Sequence, residues 1–133
     1  MLPYYVPMKR LPIKLLLASL FVVSFSFGQN NEKLAVLSAK IAFENSESTA
    51  LKENMHTVLD DLAQVLNEDK FMYEIASYSS RAGSAKENQE KTETRAQRIK
   101  EELIKRGVQE WRLVPFGYGE AANEHVIIKI LPN

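Results

Sequence analysis

Residues 71–106 read FMYEIASYSSRAGSAKENQEKTETRAQRIKEELIKR, and this stretch decides the fold. Tyr73 and Ile75 share one alternating face of its opening run, which is typical of a β-strand. The loop SRAGS follows, and small and apolar side chains then recur at helical spacing over 85–106. Gly107 is the residue type that ends helices in a left-handed conformation. The stretch therefore predicts a strand, a loop and a helix in succession.

The flanking segments predict one more helix and three more strands. Residues 34–43 (LAVLSAKIAF) are apolar with partial alternation, so we expect a first strand there. A single apolar stripe predicts a helix over about 50–67. Downstream, 112–116 predicts a short strand that its proline confines to an edge, 117–119 predicts a turn, and 126–131 predicts the last strand.

The predicted order is therefore βαβαββ. Two helices can cover one face of a mixed four-stranded sheet, which gives an α+β fold in the form of a two-layer sandwich. Each strand–helix–strand passage then needs a right-handed crossover. We expect five apolar side chains of the two helices to be buried in this sandwich: Leu51, Val58, Leu62, Ile99 and Leu103.

The first 28 residues have the character of a secretory signal peptide rather than of the core. A basic start precedes an apolar run from Leu15 to Phe27, which as a helix at about 1.5 Å per residue is too short for a bilayer core of about 30 Å. Small residues at the end of the run fit cleavage before Gln29, so 29–133 is expected to be the mature domain. An uncleaved anchor is the alternative, and Met8 is an alternative start site.

Composition excludes several classes of function. The whole chain has 17 Lys and Arg against 17 Asp and Glu, and removal of three basic residues with the leader leaves a net charge of about −3, which argues against nucleic-acid binding. There is no Cys, so neither a disulfide nor a lipid-modified amino-terminal Cys is available. With only His56 and His125 as imidazoles and no catalytic or phosphate-loop motif, we expect no enzyme activity, no metal site and no cofactor.

From about Leu37 to Ile130 the chain resembles the OmpA-like, peptidoglycan-associating domain family. That family has a strand ending in apolar-x-Phe, a strand ending in GHTDxxGS, a helix with NxxLSxRRA, a GYGE run and a final NRRV strand. No single match is specific, but the ordered set is. The matching residues are Phe43, Gly83, Ser84, Asn88, Arg95, Ala96, Gly107, Val108, Arg112, the run 117–120, Asn123 and Val126.

The resemblance implies a ligand-binding site with one charge missing. Arg95 stands where the family's second helix Arg pairs with the carboxylate of the diaminopimelate side chain of peptidoglycan, and Ser80 replaces the Asp that binds its ammonium. Thr94 and Lys91 replace the motif's first Arg and its Leu, and NRRV reads NEHV at 123–126. Loss of the Asp should weaken binding by about 10- to 100-fold. The ligand-binding set carried over is Arg95, Ser80, Ser79, Gly83, Ser84 and Asn88.

Two functions remain open at this point. The first is non-covalent association with peptidoglycan in the periplasm or at the periphery of the outer membrane, without a membrane span after cleavage. The second is a ligand-deficient domain that contacts an envelope protein. For the first, Arg95 should project toward residues 79–84; otherwise its stem lies on the core and it pairs locally with a Glu. An acidic side chain beside Arg95 would favour the first function, and an uncharged pocket beside an apolar patch the second.

Overall fold

The computed structural model describes residues 30–80 and 83–132, so the predicted signal peptide over 1–28 lies outside the described residues. Within them no helix is both long and apolar enough to cross a membrane. The helices are α1 over 30–39, α2 at His56–Leu66 and α3 at Ala85–Lys105, with 3-10 turns at Glu53–Met55 and Glu110–Arg112. The strands are β1 at Tyr73–Ser79, β2 at Leu113–Glu120 and β3 at His125–Ile130.

The strands form one mixed sheet in the order β2-β1-β3, which agrees with the predicted α+β class. The central strand β1 pairs in parallel with β2, where Tyr73 lies opposite Leu113. It pairs antiparallel with β3, where Tyr73 lies opposite Ile130. The parallel pair requires a crossover, and α3 supplies it between β1 and β2. The described part of the sheet therefore has three strands rather than the predicted four.

The prediction of a first strand over 34–43 is wrong for its larger part, because residues 34–39 are helical. Leu34, Leu37 and Ile41 are buried, a spacing that fits one helix face as well as it fits an apolar strand. Ser38 Oγ donates to the Leu34 carbonyl at 2.7 Å, an i to i−4 bond that is typical of a helix. The βαβαββ order is consequently not reproduced.

The segment after α1 contributes only an isolated bridge between Phe43 and Leu51. After this bridge Lys52 is still extended, and helical structure begins at the 3-10 turn Glu53–Met55. The helix predicted over about 50–67 therefore occupies a shorter range. Leu51 lies before it and is only half-buried, so its predicted burial is not reached.

The core confirms the inward faces of the two main helices. Leu62, Ile99 and Leu103 are fully buried in one cluster that also contains Ile75 of β1, whereas Val58 is half-buried at its edge. The inner face of β1 and one face of each helix thus share a single apolar layer. The cluster is completed by Leu34, Leu37, Ile41, Phe43, Met55, Leu59, Ala63, Val65, Leu66, Tyr73, Ala96, Val108, Leu113, Val126 and Ile128.

The predicted turn over 117–119 is also wrong, because β2 runs through it to Glu120. A bulge shifts the register there: Gly117 lies opposite Ser77, and Gly119 lies opposite the next residue of β1. The glycines serve close packing instead of a chain reversal, since a Cβ on Gly117 would lie 2.6 Å from Thr92 Oγ1 of α3. The chain reverses later, over 121–124.

Candidate functional site

Two described residues of the loop between β1 and α3, Gly83 and Ser84, help to start the helix. Ser84 Oγ accepts the Glu87 backbone N–H at 3.1 Å, and the Glu87 side chain returns to the Ser84 N–H, which forms a capping box. Asn88 Nδ2 donates to the Gly83 carbonyl at 3.4 Å. These contacts give three predicted ligand residues, Gly83, Ser84 and Asn88, a structural role at the start of α3.

The two serines of the missing family motif differ in exposure. Ser79 is buried, and its Oγ donates to the Gly119 carbonyl at 3.5 Å, so it links β1 to the bulged part of β2. Ser80 follows β1 and is half-buried. Of this pair, Ser80 is therefore the position from which a longer side chain can reach solvent.

The side chain of Arg95 is fully buried and donates several hydrogen bonds. Its Nε donates to the Ser48 carbonyl at 2.8 Å, and Nη2 donates to the carbonyls of Ser48 at 2.6 Å and Asn45 at 3.0 Å. The guanidinium also lies 4.3 Å from the ring centroid of Phe43, within cation–π range. Residues 43–48 therefore form a cradle around the cation.

The remaining terminal nitrogen of Arg95, Nη1, forms an ion pair with Glu124 Oε1. Glu124 ends the short loop between β2 and β3, and its side chain keeps 35% of its exposure whereas that of Arg95 keeps 0%. The guanidinium of Arg95 is therefore shielded from solvent, whereas its carboxylate partner is partly exposed.

A second cation adjoins the same cradle. Lys91 lies one turn before Arg95 on α3, and its Nζ donates to the Ser46 carbonyl at 2.8 Å. Nη2 of Arg95 shares that carbonyl at 3.3 Å. Two positive charges, on Lys91 and Arg95, thus lie around residues 45–48 together with two carboxylates, those of Glu124 and of the exposed Glu47 within this segment.

These contacts answer the sequence-based expectations for Arg95. The peptidoglycan function led us to expect that Arg95 projects toward residues 79–84. Its guanidinium bonds instead to residues 45–48 and Glu124, and to none of the described residues of 79–84. The alternative expectation, a buried stem with a local Glu partner, describes the observed geometry. Sequence reasoning missed Glu124 as that partner, and the signal was its place in NEHV, where the family has an Arg.

The sheet face away from the helices carries a partly exposed cluster of four aromatic residues and one isoleucine, here called the open face: Phe116, Tyr118, Tyr78, His125 and Ile127. Tyr78 stacks on Tyr118 at a centroid distance of 4.9 Å and on His125 at 4.4 Å. Phe116 and Ile127 remain 47% and 41% exposed beside this stack. The open face is thus a ridge of stacked rings with apolar flanks.

A side-chain hydrogen bond joins Tyr118 of the open face to Glu74 of β1. The Tyr118 hydroxyl donates to Glu74 Oε1 at 2.9 Å, and this bond to a carboxylate raises the pKa of the tyrosine. Lys129 of β3 lies 3.4 Å from the same carboxylate oxygen. Across residues 30–80 and 83–132, no group of three or more acidic or imidazole side chains is arranged to hold a metal ion.

Comparison with known proteins identifies the family. The OmpA family model matches residues 43–126, which span the cradle, β1, α3, β2 and the start of β3. The chain belongs to the OmpA family. A comparison with curated protein sequences finds no match.

Solved structures show how the OmpA-family fold is shared. The periplasmic domain of Helicobacter pylori MotB (residues 90–256) superposes with a TM-score of 0.64 at 19% identity, over 72% of this chain and 71% of that one. An outer membrane protein from Borrelia burgdorferi B31 gives 0.61 at 23% identity, over 72% and 99%. The OmpA-like domain of FopA1 from Francisella tularensis gives 0.55 at 14% identity, over 71% and 73%. At these identities the comparison establishes the fold.

Proposed function

We propose that this OmpA-family chain is an exported, non-enzymatic domain that associates non-covalently with peptidoglycan, in the periplasm or at the outer membrane. The observation that carries the proposal is the pairing of buried Arg95 with surface-facing Glu124. A diaminopimelate side chain ends in a carboxylate and an ammonium, so a receptor for it needs one cation and one anion close together. Arg95 and Glu124 supply that pair.

Weak binding is part of the proposal. Ser80 offers a hydroxyl where the family motif has a carboxylate, and a hydrogen bond between a neutral group and an ammonium is weaker than a charge-assisted one. Glu124 supplies an acidic group beside Arg95, but it is already bonded to that arginine. We therefore expect measurable binding that declines with salt, because the ligand contacts are ionic and partly exposed.

Sedimentation with purified peptidoglycan sacculi tests the proposal. The mature chain should pellet with sacculi at low salt, and Ser80→Asp should increase the association constant by about tenfold or more because it returns the missing anion. Thr57→Asp is the matched control, since Thr57 is exposed on α2 and receives the same charge change away from the cradle. If neither the wild type nor Ser80→Asp pellets while both remain folded, peptidoglycan is not the ligand.

A second candidate function has its own observation, the open face. Phe116 and Ile127 expose apolar surface around a ring stack, as in a contact site for an envelope protein. Replacing both residues by threonine should leave sacculus binding unchanged if the cradle is the site. Loss of sacculus binding in that variant, with the Arg95 contacts intact, would show that the open face, and not the cradle, contacts the sacculus.

A further inference from the structure

We infer that Glu124 is an internal occupant of a carboxylate-binding site on Arg95, and that an external zwitterionic ligand binds by displacing it. This inference rests on the proposed function and assigns it a displacement step. The family motif NRRV has an arginine at the position of Glu124, so an acidic residue there is particular to this chain's version of the motif.

The first step concerns which contacts of Arg95 can change. The cradle carbonyls belong to a tightly bonded loop: the backbone N–H groups of Glu47 and Ser48 both donate to Asn45 Oδ1 at 2.9 Å. The loop is closed by the Glu44 N–H, which donates to the Ala50 carbonyl at 2.9 Å. Displacing these carbonyls would require rearrangement of the loop backbone, whereas Glu124 can leave by a side-chain rotation. Glu124 is therefore the exchangeable partner.

The second step concerns the position of Glu124. It belongs to a short exposed loop, and over the described residues its carboxylate makes polar contact with Arg95 alone. The buried guanidinium has no exposure of its own, so any anion that reaches Nη1 must take the place of this carboxylate. In the closed state the chain's own carboxylate fills the site, and only open molecules can bind the ligand. The apparent affinity is therefore the intrinsic affinity multiplied by the fraction of open molecules.

The third step concerns the chemistry of the ligand. A ligand carboxylate can replace the Glu124 carboxylate on Nη1 with the same hydrogen-bond geometry. The Lys91 ammonium at the neighbouring carbonyl of Ser46 adds a second attractive charge. Once released, Glu124 is an unpaired anion at the rim and can accept the ligand's ammonium. The site therefore selects a group that carries a carboxylate and an ammonium together.

The test uses the mature chain and two probes, acetate and glycine, with binding followed by the NMR resonance of the Arg95 Nε–H. Acetate should bind Glu124→Ala about tenfold more tightly than wild type, which corresponds to a site that is closed by Glu124 about nine-tenths of the time. Glycine should gain less than acetate, because its ammonium loses the Glu124 carboxylate. Glu47→Ala is the matched control: Glu47 lies exposed in the cradle loop, and its removal is the same charge change without the loss of an Arg95 partner.

Equal gains for acetate in Glu124→Ala and Glu47→Ala would overturn the inference, since they would reflect charge alone. An unchanged acetate affinity in folded Glu124→Ala would overturn it as well. If that variant does not fold, Glu124→Gln replaces it, and an acetate affinity equal to wild type would count against displacement. Sacculus sedimentation separates the two proposals: acetate gain without sacculus binding contradicts the proposed function alone, and sacculus binding without acetate gain contradicts the displacement alone.

Discussion

Gly117→Ala should destabilise the domain, although alanine is ordinarily preferred to glycine inside a strand. By conformational entropy alone the substitution would stabilise the fold by about 0.5–1 kcal/mol. The structure predicts the opposite sign, because the new Cβ would lie 2.6 Å from both the carbonyl carbon and Oγ1 of Thr92. Ordinary carbon contacts are about 3.5–4.0 Å, so α3 and β2 must separate by about 1 Å.

The expected cost follows from that separation. Overpacking of this kind costs about 1–3 kcal/mol. It also strains two bonds between the elements: Thr92 Oγ1 accepts the Gly119 N–H at 3.0 Å, and Gln89 Nε2 donates to the Gly117 carbonyl. Each is worth about 1 kcal/mol. We expect a net loss of about 2–4 kcal/mol, a large part of the roughly 5–15 kcal/mol that stabilises a domain.

The assay is urea unfolding of the mature chain followed by circular dichroism. Gly83→Ala is the control, because its new Cβ would meet the flexible side chain of Glu87, whose carboxylate can move aside at the cost of its bond to the Ser84 N–H. The control should therefore lose no more than about 1 kcal/mol. A Gly117→Ala variant as stable as wild type, or more stable, would refute the direct contact between β2 and the backbone of α3.

Two further predictions concern the buried polar groups at the other end of the sheet. Arg112→Met should cost about 3–5 kcal/mol in urea unfolding, because Arg112 is buried and its Nη2 pairs with Asp69 Oδ1 at 2.9 Å; a loss near zero would contradict that burial. Burial, together with the bond that the Tyr73 hydroxyl donates to Asp69 Oδ2 at 2.5 Å, raises the pKa of Tyr73 above its ordinary 10.0. Because the folded-state pKa is raised, the stability that this tyrosine contributes is complete below pH 10.0 and is lost as the pH rises toward the folded-state pKa. The free energy of unfolding should therefore fall above pH 10.0, and it should fall less in Tyr73→Phe. Equilibrium unfolding at alkaline pH measures both.

The elements that local sequence specifies were predictable. Helix α3 carries its own signals at both ends, with the Ser84 and Glu87 capping box at its start and Gly107 at φ 94° after its end. β1 and β3 are short runs that contain aromatic or β-branched residues, and the structure reproduces both predicted strands within a few residues. In each case the deciding information lies inside the element itself.

The elements that depend on distant contacts were not predictable. The apolar spacing of 34–39 satisfies a helix and a strand equally, and only packing in the core decides between them. Glycine at position 117 suggests a turn, but the structure uses it for close packing against Thr92 of α3. These two residues are far apart in the sequence, so local sequence does not reveal the contact. The Arg95 and Glu124 pair joins residues 29 apart, so the sequence could identify the arginine and not its partner.

The most direct test of the central claim is an NMR titration of the mature chain with meso-diaminopimelate. The account predicts saturable shifts at the Arg95 Nε–H and at the backbone amides of residues 45–48 and Glu124, which surround the guanidinium. The shifts should disappear at high salt, because the contacts are ionic. Absence of any shift in the folded protein, or shifts confined to Phe116 and Ile127 on the open face, would contradict it.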